Sequence, residues 1–295
     1  MQTCVIFNPS ARGQRAESLR SRLDSLFPKS VVRRTGAPGE ARQLAAQAVR
    51  EGFGTVIAAG GDGTANEVVN GMADVPQGLA SARLGIVPLG TINVFARELG
   101  LPLDLAGAAR TLEAGREMTI DLGRAEFTAE GRRQGRHFLQ LAGAGLDARA
   151  VELVSWSLKK KTGPLAYVVA GLKALRETQS VITVEGAHPA AGELVLLGNG
   201  RYYGGSFELF PGASLRDGCL DVCVLPNVSV WRALQTMLGL ATGRLQRFLA
   251  ARYFRSPTLT LSSSSRVSLQ LDGEYAGELP VTFSVLPLAL RVIVP

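Results

Sequence analysis

The stretch Gly60-Gly61-Asp62-Gly63-Thr64-Ala65-Asn66-Glu67 constrains this chain most, because it directly follows the apolar run Thr55-Val56-Ile57-Ala58-Ala59. The run reads as a buried strand. Glycines crowd its exit. Thr64-x-x-Glu67 then has the spacing of a capping box, and Val68-Val69 open an apolar helical face. Strand, glycine turn and helix N-terminus in this order suit an anion. Glycine lets the backbone come close to a ligand, and the first amides of a helix point at it. Asp62 would repel a phosphate unless a metal or a hydroxyl lies between them. A P-loop would place Gly-Lys-Ser/Thr here, and no such Lys is present.

The flanking sequence alternates strand and helix. Strands are expected at Thr3–Phe7, Val31–Arg34, Thr55–Ala59 and Leu84–Val87, with helices from Arg15 to Leu26 and after Pro38-Gly39. Each strand opens into a polar or glycine turn: Asn8-Pro9-Ser10-Ala11-Arg12-Gly13, Thr35-Gly36, the octet, and Pro88-Leu89-Gly90-Thr91-Ile92-Asn93. Such alternation predicts a mainly parallel sheet with helices on both faces and its ligand beyond the strands' C-terminal ends. Asn8, Thr35, Gly61 and Thr91 then surround one crevice.

Near Gly115 the pattern changes. Strands follow one another at Thr119–Phe127, His137–Ala142, Val181–Glu185, Leu194–Gly198, Leu220–Leu225, Thr258–Leu261, Val267–Leu271 and Val281–Val285, interrupted by helical stretches at Gly163–Arg176 and Trp231–Arg247. This reads as a second, mostly antiparallel domain, a sandwich or a barrel. A chain of 295 residues, 46% hydrophobic, can bury both cores.

Several functions find little support. Only His137 and His188 are present, so no zinc spacing exists, and there is no Gly-x-Ser-x-Gly elbow. Gly143-Ala144-Gly145-Leu146-Asp147-Ala148 matches a dinucleotide fingerprint but lies in the all-β half without the later acidic residue. Cys4, Cys219 and Cys223 sit in apolar runs and read as core thiols of a reducing compartment. No signal-peptide pattern opens the chain, and the apolar run Leu165–Leu172 is too short to span a bilayer. A cytoplasmic protein is expected. The net charge of +7 and the Trp156–Lys161 run suit an anionic membrane at its inner face. No aromatic stacking platform accompanies the charge, so nucleic acid is not expected. Asp217-Gly218 and Asp272-Gly273-Glu274 have the composition of tight turns.

Taken in order, Asn8-Pro9, Thr35, the octet, Pro88–Asn93, Asp217-Gly218 and Asp272-Gly273-Glu274 resemble the diacylglycerol kinase-like lipid kinase family, in its bacterial soluble branch. The resemblance covers nearly the whole chain. It implies a nucleotide-binding α/β domain over 1–117, a β-sandwich over 118–285, and a final segment, about 286–295, that crosses back to the first. The active site would lie between the domains. It implies ATP contacts from Asn8, Pro9 and Ser10, from Thr35, from Gly60, Gly61, Asp62, Gly63, Thr64 and Asn66, and from Thr91. It implies Mg2+ at Ser214, Asp217 and Cys219, through carbonyls at Ser214 and Cys219, and Glu274 as the general base. The acceptor would be a lipid hydroxyl, as in diacylglycerol. One departure is Val94, where the family often has an Asp that joins a water network towards the metal. Two other readings share parts of the pattern, a NAD kinase-like enzyme and a nucleotide-binding regulator without catalysis.

Overall fold

A computed structural model describes residues 2–9, 16–129, 131–154, 165–229, 231, 232, 235, 239 and 251–295. The chain forms two compact units. The first joins Met1–Leu122, Gly204–Ser206 and Pro287–Pro295, and the second joins Gly123–Tyr203 and Phe207–Leu286.

In the first unit the β-branched runs pair in the order Ser30–Arg34, Thr3–Phe7, Thr55–Gly60, Arg83–Pro88, all parallel. The last strand, Val281–Val294, adds to the far edge with Val292 opposite Leu84, also parallel. The central strand Thr55–Gly60 is buried along its whole length. Alternate side chains therefore serve opposite faces. Val5, Phe7, Ile57, Ala59 and Val87 pack with Leu19 and Leu23 of the helix Ala16–Leu26 and Leu105 of the helix Leu105–Ala114. Helices Glu40–Arg50 and Asp62–Ala73 pack together closely. A Cβ at Gly71 would lie 2.0 Å from the carbonyl oxygen of Arg42, so only glycine fits.

The second unit is a β-sandwich. One sheet runs Arg252–Ser256, Leu220–Leu225, Leu194–Gly198, Leu141–Gly145, Ser268–Leu271, Glu274–Glu278, antiparallel throughout. The other contains Ala190–Gly192, Ile182–Glu185, Thr258–Ser262 and the first part of Val281–Val294, which also pairs with Arg116–Ala129 and its partner Arg132–Phe138. Inward residues of both sheets share one core that includes Phe138, Val195, Val222, Leu261, Leu269 and Phe283. Phe138 meets Phe283 edge-on at 5.9 Å.

Some expectations change. The strand expected at His137–Ala142 is two strands, broken at Leu139 and Gln140, because those amides bond the Asp272 carboxylate and not a neighbouring strand. Cys4 and Cys223 are buried, and burial pushes both thiols up to about 11. Cys219 lies in the loop just before the strand Leu220–Leu225 and is only half-buried, so it is not a core thiol. The helix expected at Gly163–Arg176 is described as Leu165–Ala174. Most of the expected Trp231–Arg247 helix, the whole Trp156–Lys161 run and Ser10 lie outside the described residues. No helix among the described residues is long and apolar enough to cross a membrane.

Candidate active site

Parallel register brings the first unit's turns to one edge. Phe7 sits opposite Arg34 and Ala59, and Gly60 sits opposite Pro88. The exits are stitched together: Asn8 N–H donates to Ala59 O (3.0 Å), Thr35 N–H to Phe7 O (2.9 Å) and Leu89 N–H to Gly60 O (2.8 Å). Asn8 Nδ2 also donates to Thr64 Oγ1 at 3.1 Å.

The helix after the octet begins at Asp62 with extended Gly61 as its N-cap. Its first internal bond runs from Ala65 N–H to Gly61 O, 3.1 Å. The amides of Asp62, Gly63 and Thr64 therefore have no acceptor within the helix, which is the arrangement that receives an anion. The capping box expected from Thr64 and Glu67 does not form. Thr64 is already inside the helix. Glu67 instead accepts from Gly39 N–H (2.9 Å) and Ala41 N–H (3.1 Å), so it caps the neighbouring helix. Asn66 is buried in the same helix, where its Oδ1 accepts from Asn70 Nδ2 at 3.1 Å.

The Pro88–Asn93 turn packs directly on the octet. A Cβ at Gly90 would lie 2.7 Å from the Cα of Gly61. Asp62 Oδ1 accepts from Phe95 N–H at 3.0 Å, tying the octet to the helix Val94–Glu98. Asn93 adopts a positive φ of 53°, and its Nδ2 donates to Gly90 O at 2.8 Å. Its Oδ1 is buried without a partner. Thr35 is buried beside this edge, Pro9 is half-buried and Thr91 is exposed.

In the second unit, Asp272-Gly273 forms the two-residue turn between Ser268–Leu271 and Glu274–Glu278. Both residues have positive φ, 48° and 80°, as a type I′ turn requires. The Asp272 carboxylate accepts from three successive backbone amides, Leu139 (2.7 Å), Gln140 (2.9 Å) and Leu141 (2.9 Å). Glu274 follows at once. Its carboxylate lies 3.7 Å from Arg136 Nη2, and its side chain is 44% exposed, open enough to meet a substrate.

The Ser214–Cys219 loop is organised by a residue that sequence reasoning missed. Arg255 Nη1 lies 3.6 Å from Asp217 Oδ2, its Nε donates to Asp221 Oδ1 at 3.1 Å, and its Nη2 donates to Gly212 O. Asp217 Oδ1 accepts from Cys219 N–H at 3.1 Å, and Ser214 Oγ accepts from Arg216 N–H at 3.3 Å. Asp221 Oδ2 is buried without a hydrogen-bond partner. Burial raises the Asp221 carboxyl, Arg255 pulls it back and Asp217 adds to the rise. An acidic residue inside the apolar run Leu220–Leu225 was the available signal for Asp221. Among the described residues no three His, Cys, Asp or Glu side chains gather as a metal cage. A cation at this loop would therefore rest on one carboxylate and main-chain carbonyls. That donor set, next to an unpartnered carboxylate oxygen, fits a hard ion such as Mg2+.

The diacylglycerol kinase catalytic domain matches residues 2–125, and the YegS C-terminal NAD kinase beta sandwich-like domain matches residues 140–294. A Pseudomonas aeruginosa (strain UCBPP-PA14) protein named "Probable lipid kinase YegS-like" is 37% identical over 90% of this chain and 84% of its own. The chain belongs to the diacylglycerol kinase-like lipid kinase family. A Staphylococcus aureus (strain MRSA252) "Diacylglycerol kinase" is 30% identical over 99% of this chain and 91% of its own. The fold of this chain also matches a solved structure, described as "a putative diacylglycerol kinase from Bacillus anthracis str. Sterne". That match has a TM-score of 0.80 at 22% identity and covers 100% of this chain and 95% of the other.

Proposed function

We propose that this family member transfers the γ-phosphate of ATP to a hydroxyl of a lipid such as diacylglycerol. The observation that carries the reading is the glycine turn Gly60-Gly61-Asp62, backed against Gly90 at the C-terminal edge of a parallel sheet, with helix amides unpaired above it. Phosphoryl transfer needs mainly positioning and charge stabilisation, which amides of this kind supply. Asn8 holds Thr64, and Thr35 sits beside it, so Asn8, Pro9, Ser10, Thr35, Gly60 to Thr64, Asn66 and Thr91 are the proposed nucleotide contacts.

Asp217, with the carbonyls of Ser214 and Cys219, would hold a structural Mg2+, and Asp62 would order the Mg2+ whose chemistry is to neutralise the charge of the phosphates. Glu274 accepts the proton of the acceptor hydroxyl. The Asp272 clamp supports this role, because it fixes the turn that presents Glu274. Peripheral docking on an anionic inner membrane surface is part of the reading. Exposed Val169 (51%) and Leu172 (54%) beside Lys173 support it, since apolar area and positive charge together bind such surfaces.

The test is steady-state turnover with saturating lipid, together with ATP binding by calorimetry. Glu274→Gln keeps the shape but cannot take a proton, so turnover should fall about 10²–10⁴-fold while ATP affinity holds. Asp62→Ala should lose roughly 10²–10³ in rate. Unchanged turnover in both variants would remove them from the mechanism.

A further inference from the structure

Asp147 and Gln270 form a polar chain that the reading above does not use. Gln270 is 1% exposed, in the strand that leads into the Asp272-Gly273 turn. Its Nε2 donates to Asp147 Oδ2 at 2.8 Å, and its Oε1 accepts from Gly273 N–H at 2.8 Å. Asp147 Oδ1 accepts from the Tyr203 hydroxyl. Gly143 leaves room for the pair, since a Cβ there would lie 2.9 Å from Asp147 Oδ2 and 3.0 Å from Gln270 Nε2.

We propose that Asp147, acting through Gln270, is a positioning residue that sets the Gly273–Glu274 backbone and so aims the Glu274 carboxylate. This rests on Glu274 being the base. A buried glutamine can sit either way round, because its oxygen and nitrogen have the same shape. An ionised carboxylate only accepts. Asp147 therefore selects the orientation with nitrogen towards itself and oxygen towards Gly273. The Asp272 carboxylate holds the same turn from the other side, through the amides of Leu139 to Leu141. With both contacts in place, the peptide preceding Glu274 has one orientation. Burial raises the Asp147 carboxyl, and hydrogen bonds from Tyr203 and Gln270 oppose the rise. Those two donors favour the charged, accepting form that the arrangement requires.

A reciprocal swap separates positioning from general stability. Gln270→Leu removes both hydrogen bonds and should lower kcat on the order of tenfold or more, with the KM for ATP unchanged, because a misplaced group loses rate steeply. In a Glu274→Gln background the same change should cost nothing further, since residues acting as one unit are not additive. Gln270→Glu alone places two carboxylates face to face and should be slow. Adding Asp147→Asn restores a donor at 147 and an acceptor towards Gly273, and should return kcat to within about threefold, the ordinary context scatter of one preserved hydrogen bond.

Amide exchange at Gly273 should quicken in Gln270→Leu and recover in the swapped pair. Multiplying losses in Gln270→Leu/Glu274→Gln, a swap no faster than Gln270→Glu alone, or unchanged Gly273 exchange would each overturn the proposal. If Glu274→Gln alone turns over like wild type while Gly273 exchange follows the swap, the polar chain sets the turn as inferred. In that case the base assignment is what fails.

Discussion

Gly90→Ala tests whether the two turns proposed to hold the nucleotide act as one packed unit. The added Cβ would lie 2.7 Å from Gly61 Cα and 2.7 Å from Asn93 Oδ1, against ordinary contacts that begin at 3.4 Å. The turns must therefore separate by about 0.7 Å. Gly61 cannot yield as a side-chain tip would, because its carbonyl starts the helix and Gly60 O holds Leu89 N–H. Overpacking of this kind costs about 1–3 kcal/mol. At about 2–4 °C per kcal/mol for a chain of this size, the melting temperature should fall by roughly 2–12 °C. The same displacement moves the amides proposed to face the phosphates, and a loss of about 1.4 kcal/mol there is a tenfold weaker ATP affinity. Gly171→Ala is the control. Nothing lies within 4 Å of its Cβ, and it sits in the helix Leu165–Ala174, so a gain of about 0.4–1 kcal/mol is expected. Thermal melting and ATP calorimetry on both variants give the answer. A Gly90→Ala protein that melts and binds ATP like wild type would refute the packing argument.

If the Ser214–Cys219 loop holds Mg2+ as proposed, the wild type melts higher in Mg2+ than in chelator, because a ligand bound only by the folded state stabilises it. Asp217→Ala should abolish that difference, and a difference that survives would move the cation elsewhere. Glu152 predicts an acid sensitivity. Burial pushes its carboxyl up, but hydrogen bonds from Ser268, Arg266 and Arg149 outweigh this and hold it down from 4.5 to about 2. A depressed carboxyl stabilises above its unfolded value and loses that contribution as pH falls from 4.5 towards about 2. Glu152→Gln should therefore destabilise at pH 7 and approach wild type as pH falls through that window, as read from denaturant midpoints. Vesicle co-sedimentation should weaken with rising salt on anionic lipid, because exposed charges are screened beyond about 10 Å at 0.1 M. Equal binding to neutral vesicles would show that charge does not drive docking.

The apolar strands of both units were legible because they announce themselves. Thr3–Phe7 and Leu220–Leu225 are apolar runs bounded by turn residues, and both appear with those bounds. Strands with polar composition escaped. Arg132–Phe138 reads RRQGRHF, and Arg133 is 79% exposed, so only its pairing with Arg116–Ala129 makes it a strand. Arg252–Ser256 is a similar edge strand, defined by a partner far away in sequence, whereas the edge strand Glu274–Glu278 is defined by its hairpin with Ser268–Leu271. The octet's position at a strand exit was readable, but the work of Glu67 was not. Spacing alone suggests a reach back to Thr64, whereas the folded chain brings the helix at Glu40 within its grasp. Arg255 and Gln270 were invisible for the same reason. Their roles come from residues 34 and 123 positions away, Asp221 and Asp147.

The most direct measurement is mass spectrometry of a total lipid extract incubated with the protein, ATP and Mg2+, set beside Asp62→Ala and a reaction containing NAD. A lipid that gains one phosphate, only with ATP and the wild-type protein, is the predicted result. Phosphorylated NAD, or ATP consumption with every lipid unchanged, would contradict the central claim.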